Sequence, residues 1–219
     1  HLDSATLDEF LAFNKKYYVP NNAVLTIAGD LDIVQTKKWV KDYFGEIPRG
    51  KEIKRNFPRE PLINQTIKAE AFDPNIQIPA IFLAYRTPKR NSREARVLDM
   101  ISTYLSGGKS SKLYKKLVDE KKMSLEVSAF NMSNEDYSTY VIISLPIGAT
   151  KLETLTKEIS EEVDKIQTEL ISEKDFQKLQ NQFESSFVSS NSTIEGIANS
   201  LAEYYTFYRD TDLINKELD

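Results

Sequence analysis

A chain of 219 residues in which 40% of side chains are apolar and 11% aromatic can bury one good core or two small ones. Its 29 Lys and Arg nearly cancel its 33 Asp and Glu, leaving a net charge of −4 and no electrostatic footprint for nucleic acid. The longest apolar stretch, around Tyr140 to Ala149, is broken by Ser144 and Pro146 and falls far short of the roughly 18 residues of a membrane-spanning helix.

The first element is read from Thr6 and Glu9, which have capping-box spacing, followed by Leu7, Phe10, Leu11 and Tyr18 at helical intervals up to Pro20. Asn21 and Asn22 make a turn, and the nearly continuous apolar run Ala23 to Ala28 predicts a short, buried strand ended by Gly29. Asp32 caps a second helix, with Val40, Tyr43 and Phe44 on one face and Gly45 and Pro48 as its stop. From Glu46 to Leu62 the chain turns basic and proline-bearing, the composition of an extended connector.

Beyond the connector, Gln65 to Phe72 and Ala80 to Tyr85 predict strands. Asn91 and Glu94 cap a helix that carries Val97, Leu98, Ile101 and Leu105 and is broken by Gly107 and Gly108. A short helix over Ser110 to Asp119 comes next, then strands over Ser124 to Phe130 and Tyr137 to Leu145 around a polar turn. After Gly148 the apolar spacing predicts three helices, marked by Leu155, Ile159 and Val163, by Phe176, Leu179 and Phe183, and by Ile197, Leu201 and Tyr204. Strands followed by helices on one side predict an α+β fold, a two-layer α/β sandwich. A lone strand at 23–28 cannot satisfy its own edge, so the opening unit is expected to be the end of a larger domain. The division expected is 1–48 as the C-terminal remnant of a first domain, 49–64 as linker and 65–219 as a second domain.

The residues that could carry chemistry are few. Cysteine is absent and the single histidine is His1, which excludes disulfides, thiolate metal sites, a cysteine nucleophile, a His-paired serine and a two-His metal site built from these residues. Glu158, Glu161 and Glu162 with Lys157 and Lys165 read as a solvated helix face stitched by i,i+4 pairs, not as a metal cluster. Gly107-Gly108-Lys109-Ser110-Ser111 could hold an anion on free backbone N–H groups, but it lacks the phosphate-loop frame and follows a helix where that motif follows a strand. Tyr204, Tyr205, Phe207 and Tyr208 have the spacing of core packing.

Four stretches carry a family resemblance: FNKKYYVPNNAVLTIAGDLD at Phe13 to Asp32, YFGEIP at Tyr43 to Pro48, AYRTP at Ala84 to Pro88, and LSGGKSSKLYKKLVDEKKMSLEVSA at Leu105 to Ala129. In this order they resemble the zinc metallopeptidases of the M16 family, the pitrilysin, insulinase and mitochondrial processing peptidase group. The resemblance implies the pitrilysin-like metallohydrolase fold with its first domain truncated. It also implies a parent that hydrolyses peptides or unfolded proteins, with zinc held upstream by a His-x-x-Glu-His helix and a later Glu.

No part of that motif occurs in this sequence, so the implied catalytic and metal residues here are none, and the implied role is scaffold and chamber wall. The family's other half carries Leu-Arg-x-x-x-x-x-x-Tyr in the region of Leu117, whereas here Val118 stands at the Arg position and Leu125 at the Tyr position. Two apolar side chains cannot donate to a developing oxyanion, so the resemblance places the chain in the zinc-carrying half and assigns the Arg and Tyr to the remainder of the chain or a complementary subunit. The glycine-rich loop at Gly107, Gly108 and Lys109 stands where processing peptidases are thought to recognise substrate, and the resemblance implies a peptide-binding role for it; by its residues alone it reads first as a helix stop with a capped restart. The alternative is a non-catalytic subunit or structural partner of the same family. Family habit and Lys- and Asn-rich usage point to the bacterial periplasm.

Overall fold

The computed structural model describes residues 4–58 and 60–218, and His1 lies outside them. The chain forms two compact units, one made of the described residues of His1–Pro61 and Phe187–Asp219, the other of Leu62–Ser186.

In the first unit α1 (Leu7–Tyr17) starts on the expected capping box: the Thr6 N–H donates to Glu9 Oε2 at 2.8 Å and the Glu9 N–H to Thr6 Oγ1 at 3.3 Å. A single 3₁₀ turn, Pro20–Asn22, follows. α2 (Ile33–Phe44) begins where Asp32 Oδ1 accepts the Gln35 N–H at 2.8 Å and closes on Gly45. The chain then returns to the first turn, where the Gly50 N–H donates to Asn21 Oδ1 at 2.7 Å. Only glycine fits there, because a Cβ at residue 50 would stand 2.6 Å from Val19 Cγ1. Neither α1 nor α2 has a buried residue, and Leu7, Trp39 and Tyr43 are 74%, 53% and 77% exposed. The same unit contains α6 (Ile194–Tyr208), whose Thr193 cap accepts the Gly196 N–H at 3.0 Å, and a closing 3₁₀ turn, Thr211–Asn215.

Two predicted strands are not strands. Ala23 to Ala28 joins no ladder, and its Leu25 and Ile27 are 58% and 44% exposed, not buried. Gln65 to Phe72 is likewise unpaired, with Phe72 92% exposed. A strand is defined by its neighbour, and neither segment has one among the described residues.

The second unit is built on an antiparallel sheet of β1 (Ile81–Thr87), β2 (Ser124–Met132) and β3 (Ser138–Pro146) in the order β1-β3-β2. Alternation along these strands sends Ile81, Leu83, Val127, Ala129, Tyr140 and Ile142 to one face, where they meet Leu105 of α3 (Arg93–Ser106) and Leu155 and Ile159 of α4 (Leu152–Thr168). That is the two-layer α+β plan expected from the pattern. α3 is capped by Ser92, whose Oγ accepts the Ala95 N–H at 3.1 Å, and not by Asn91. The helix expected over Ser110 to Asp119 is a π-helix, Tyr114–Glu120, with the Lys121 N–H reaching back five residues to Lys116 O at 3.0 Å. Its wide turn buries Leu113 and Leu117 fully while aiming Lys116 at α4. α5 (Glu173–Ser190) starts on Ser172, whose Oγ accepts the Asp175 N–H at 3.1 Å.

The two outer edges of the sheet differ. At β2, Ser106 Oγ accepts the Ala129 N–H at 2.7 Å and lies 3.1 Å from the Ala129 carbonyl oxygen, so one hydroxyl occupies both backbone groups. Replacing Ser106 by Ala strips both at once from a half-buried edge. The Ser106→Ala variant is expected to lose about 1–3 kcal/mol of stability, read from the urea midpoint at an unchanged m-value; an unchanged midpoint would show that water replaces the hydroxyl without cost.

Candidate functional site

The candidate loop begins where α3 runs out. The Gly107 N–H closes the helix on Thr103 O at 2.8 Å, and a Cβ on Gly107 would stand 2.4 Å from that oxygen. Gly108 has φ +98°, a backbone region closed to most side chains, and its N–H turns back to Ser106 O at 2.7 Å. Its carbonyl accepts from both the Ser111 N–H at 3.0 Å and the Ser111 hydroxyl at 2.6 Å. Lys109 is exposed at the tip. The glycines are therefore required by the backbone path, and the three residues Gly107, Gly108 and Lys109 form one tight, fixed turn.

That turn is tied to α5. Lys112 Nζ pairs with Asp175 Oδ2 at 3.0 Å and lies 5.1 Å from the centre of the Tyr104 ring, while Lys178 donates to the Ser110 hydroxyl. The hydrogen bond from Lys112 holds the Asp175 carboxyl below the usual range, and the same bond raises the Lys112 ammonium. Next to the turn, Thr103 and the face of α5 that carries Lys174, Gln177, Lys178 and Asn181 border an open cleft of about 950 Å³.

The α4 carboxylates are placed differently from the solvated face that their spacing suggests. Lys116 of the π-helix reaches Glu158 Oε2 at 3.0 Å, Glu161 Oε2 at 3.2 Å and Glu162 Oε1 at 3.0 Å, and its side chain is only 14% exposed. Lys121 pairs with the other oxygen of Glu158, and Lys165 Nζ lies 2.7 Å from Glu162 Oε1. The pair within the helix is i,i+3, Glu162 with Lys165, where i,i+4 pairing is expected, and helical spacing could not reveal Lys116 or Lys121, which lie some forty residues earlier in the chain. Burial opposes the Lys116 charge, but hydrogen bonds to Glu158, Glu162 and Glu161 outweigh it and raise the pKa. Hydrogen bonds from Lys121 and then Lys116 lower Glu158; burial works against the Glu162 charge, yet Lys165 and Lys116 bring its pKa down.

These carboxylates are neutralised by ammonium groups and offer no open donor set. Among the described residues no group of three His, Cys, Asp or Glu could hold a metal ion. Val118 packs against the core and Leu125 is 47% exposed at the start of β2, so neither position presents a hydrogen-bond donor from its side chain.

The sequence profile described as the Peptidase M16 inactive domain matches residues 4–183. The chain belongs to that family. A zinc protease, PqqE, of Helicobacter pylori is 26% identical to this inactive-domain chain over 201 residues, covering 91% of it and 45% of the relative. The crystal structure of a protease from Helicobacter pylori superposes with a TM-score of 0.88 at 25% identity, covering 100% of this chain and 54% of that one. The periplasmic protease PqqL of Escherichia coli shares the fold, with a TM-score of 0.67 at 13% identity over 87% of this chain and 21% of its own. The inactive-domain chain spans about half the length of the curated relatives it matches. No helix among its described residues is long and apolar enough to cross a membrane.

The ion cluster has a pH signature whose sign can be worked out. Glu158 and Glu162, lowered in the fold, contribute their full stability above their unfolded values and lose it as pH falls through their folded values; Lys116, raised, contributes below its unfolded value and loses it as pH rises through its folded one. Lys116→Met leaves three carboxylates facing one another and is expected to cost about 1.5–3 kcal/mol near neutral pH. Urea titrations from pH 3 to pH 7, on the order of the carboxylate range and above, are expected to show a shallower acid decline in the variant; an acid limb as steep as the parent's would place the titrating groups elsewhere.

Proposed function

We propose that this chain is scaffold and chamber wall of a zinc-dependent peptidase that cuts peptides or unfolded proteins, and that it supplies no catalytic residue of its own. The observation that carries the reading is the match to the inactive-domain family over residues 4–183, together with relatives named as zinc proteases that are about twice as long. In this reading residues 1–48 are the end of the first, zinc-site domain, 49–64 the linker and 65–219 the second domain. The exposed apolar faces of α1 and α2, and the unpaired run at 23–28, support it: they are surfaces for a partner that the described residues do not provide.

Zinc belongs to the full-length parent, where it would supply a bound water as nucleophile and a Lewis acid for the scissile carbonyl. With Val118 and Leu125 in place of donors, the Arg and Tyr that steady the oxyanion come from the remainder of the chain or a complementary subunit. The turn at Gly107, Gly108 and Lys109 contacts the peptide substrate, with the exposed Lys109 at its tip. The periplasmic location of a fold relative supports the same compartment for this protein.

The test compares two preparations, the 219-residue chain and the full-length protein from the same reading frame. The full-length protein, with any complementary subunit, is expected to bind about one zinc per chain, as a catalytic site requires, and to hydrolyse a quenched fluorescent peptide in a chelator-sensitive manner. The shorter chain is expected to do neither. Chelator-sensitive hydrolysis by the shorter chain alone overturns the proposal, and a full-length protein that binds no metal assigns the chain to a non-catalytic partner.

A further inference from the structure

The cleft beside the glycine turn has a chemistry of its own. Lys174, Gln177, Lys178 and Asn181 recur at three- and four-residue spacing and so stand on one face of α5, opposite Thr103 at the end of α3. No acidic side chain lines the cleft, although α5 carries Glu173, Asp175 and Glu184. Asp175, next to Lys174 in sequence, pairs with Lys112 at 3.0 Å and also lies within electrostatic reach of Lys178. Lys174 has no partner among the described residues, and Lys178 spends one of its three N–H donors on the Ser110 hydroxyl. Two exposed cations therefore border an open cleft whose lining carries no carboxylate.

The neutral part of the lining has the pattern a peptide backbone uses. The Gln177 Nε2 donates to Asn181 Oδ1 at 3.0 Å, which leaves the Gln177 carbonyl oxygen as acceptor and the Asn181 amide as donor for a ligand. Phe183 adds an apolar surface. The cleft is continuous with the glycine turn at two points: Thr103, whose carbonyl ends α3 on Gly107, and Lys178, which holds Ser110.

We propose that this cleft binds an acidic stretch of extended peptide, its carboxylates on Lys174 and Lys178 and its backbone on the Gln177 and Asn181 amides. The peptide nature of the ligand rests on reading the Gly107–Lys109 turn as a peptide contact, whereas the preference for acidic side chains follows from the cleft alone. Substrates are thereby sorted by charge at a surface made of helices, remote in kind from any metal chemistry.

Three fluorescein-labelled peptides of equal length, with glutamate, glutamine or lysine at alternate positions, test this by anisotropy on the 219-residue chain. The glutamate peptide is expected to bind most tightly, more weakly as salt rises, and about fivefold or more weakly to the Lys174→Gln/Lys178→Gln double variant, the order of magnitude of two exposed charge contacts. Both lysines lie on the helix surface, and unchanged circular dichroism will show that the variant folds. Equal binding of the glutamate and glutamine peptides overturns the proposal, as does indifference to the double variant. Displacement by inorganic phosphate at the peptide's own concentration overturns it too, by showing that the site reads an anion and not a peptide. Gly108→Val separates the two readings: if the glutamate peptide still binds it as before, the turn is not a contact while the cleft stands. If none of the three peptides binds the unmodified chain, both readings fail.

Discussion

The central strand β3 is the constraint on which the Leu62–Ser186 unit depends. It pairs with β1 on one side from Ile81↔Ser144 to Thr87↔Ser138 and with β2 on the other from Ser124↔Pro146 to Met132↔Thr139. A residue of β3 thus has its backbone satisfied by a neighbour on one side or the other, and its side chains are committed to a face by the two-residue period. Slipping either ladder by one residue would carry Ile142, fully buried now, to the opposite face. Two buried hydroxyls, Ser124 and Ser144, meet at 2.8 Å beside the register shift between Ser124 and Glu126, where the Ser124 hydroxyl also lies 2.8 Å from Leu145 O. That polar contact suits only the observed register, so it adds specificity that apolar packing alone lacks.

What the helices add depends on this sheet. α3 ends on β2 with Ser106 against Ala129, and the break at Gly107 follows at once, so the position of the glycine turn is set by the strand as much as by the glycines. The π-helix then solves a packing problem between two directions: Leu113 and Leu117 must enter the core while Lys116 must reach α4. Three carboxylates around one ammonium would be costly without their cation, and the geometry supplies it from a different element. The result is a fixed frame for the turn and for the cleft next to it, which is the property a recognition surface needs when it makes no bonds of its own.

Much of this was legible because it is local. Thr6 with Glu9 and Asp32 before Ile33 are short-range capping chemistry, and the 3.6-residue apolar spacing of α4, α5 and α6 needs no distant partner to be seen. The cap of α3 was missed by one residue because Asn91 and Ser92 are both good cap types, and the choice between them falls on which hydroxyl or amide meets the Ala95 N–H. The strand errors have a single cause. The run at 23–28 and the segment Gln65 to Phe72 have strand composition, but composition cannot supply the neighbour that turns extended chain into a ladder.

The amino-acid order by itself determined the helices, the caps of α1 and α2, the alternation that gives the sheet a buried face, and the family, through motifs that survive in order along the chain. It also determined which chemistry these residues exclude: without cysteine, and with one histidine, neither a thiolate nor a two-His metal site can be built. Only the tertiary structure decided which charges meet. Lys116 and Glu158 are 42 residues apart and Lys178 and Ser110 are 68 apart, separations over which no periodicity in sequence carries information. Spacing along a chain reports a helix face or a strand face, whereas a contact between two faces exists only after the backbone between them has folded.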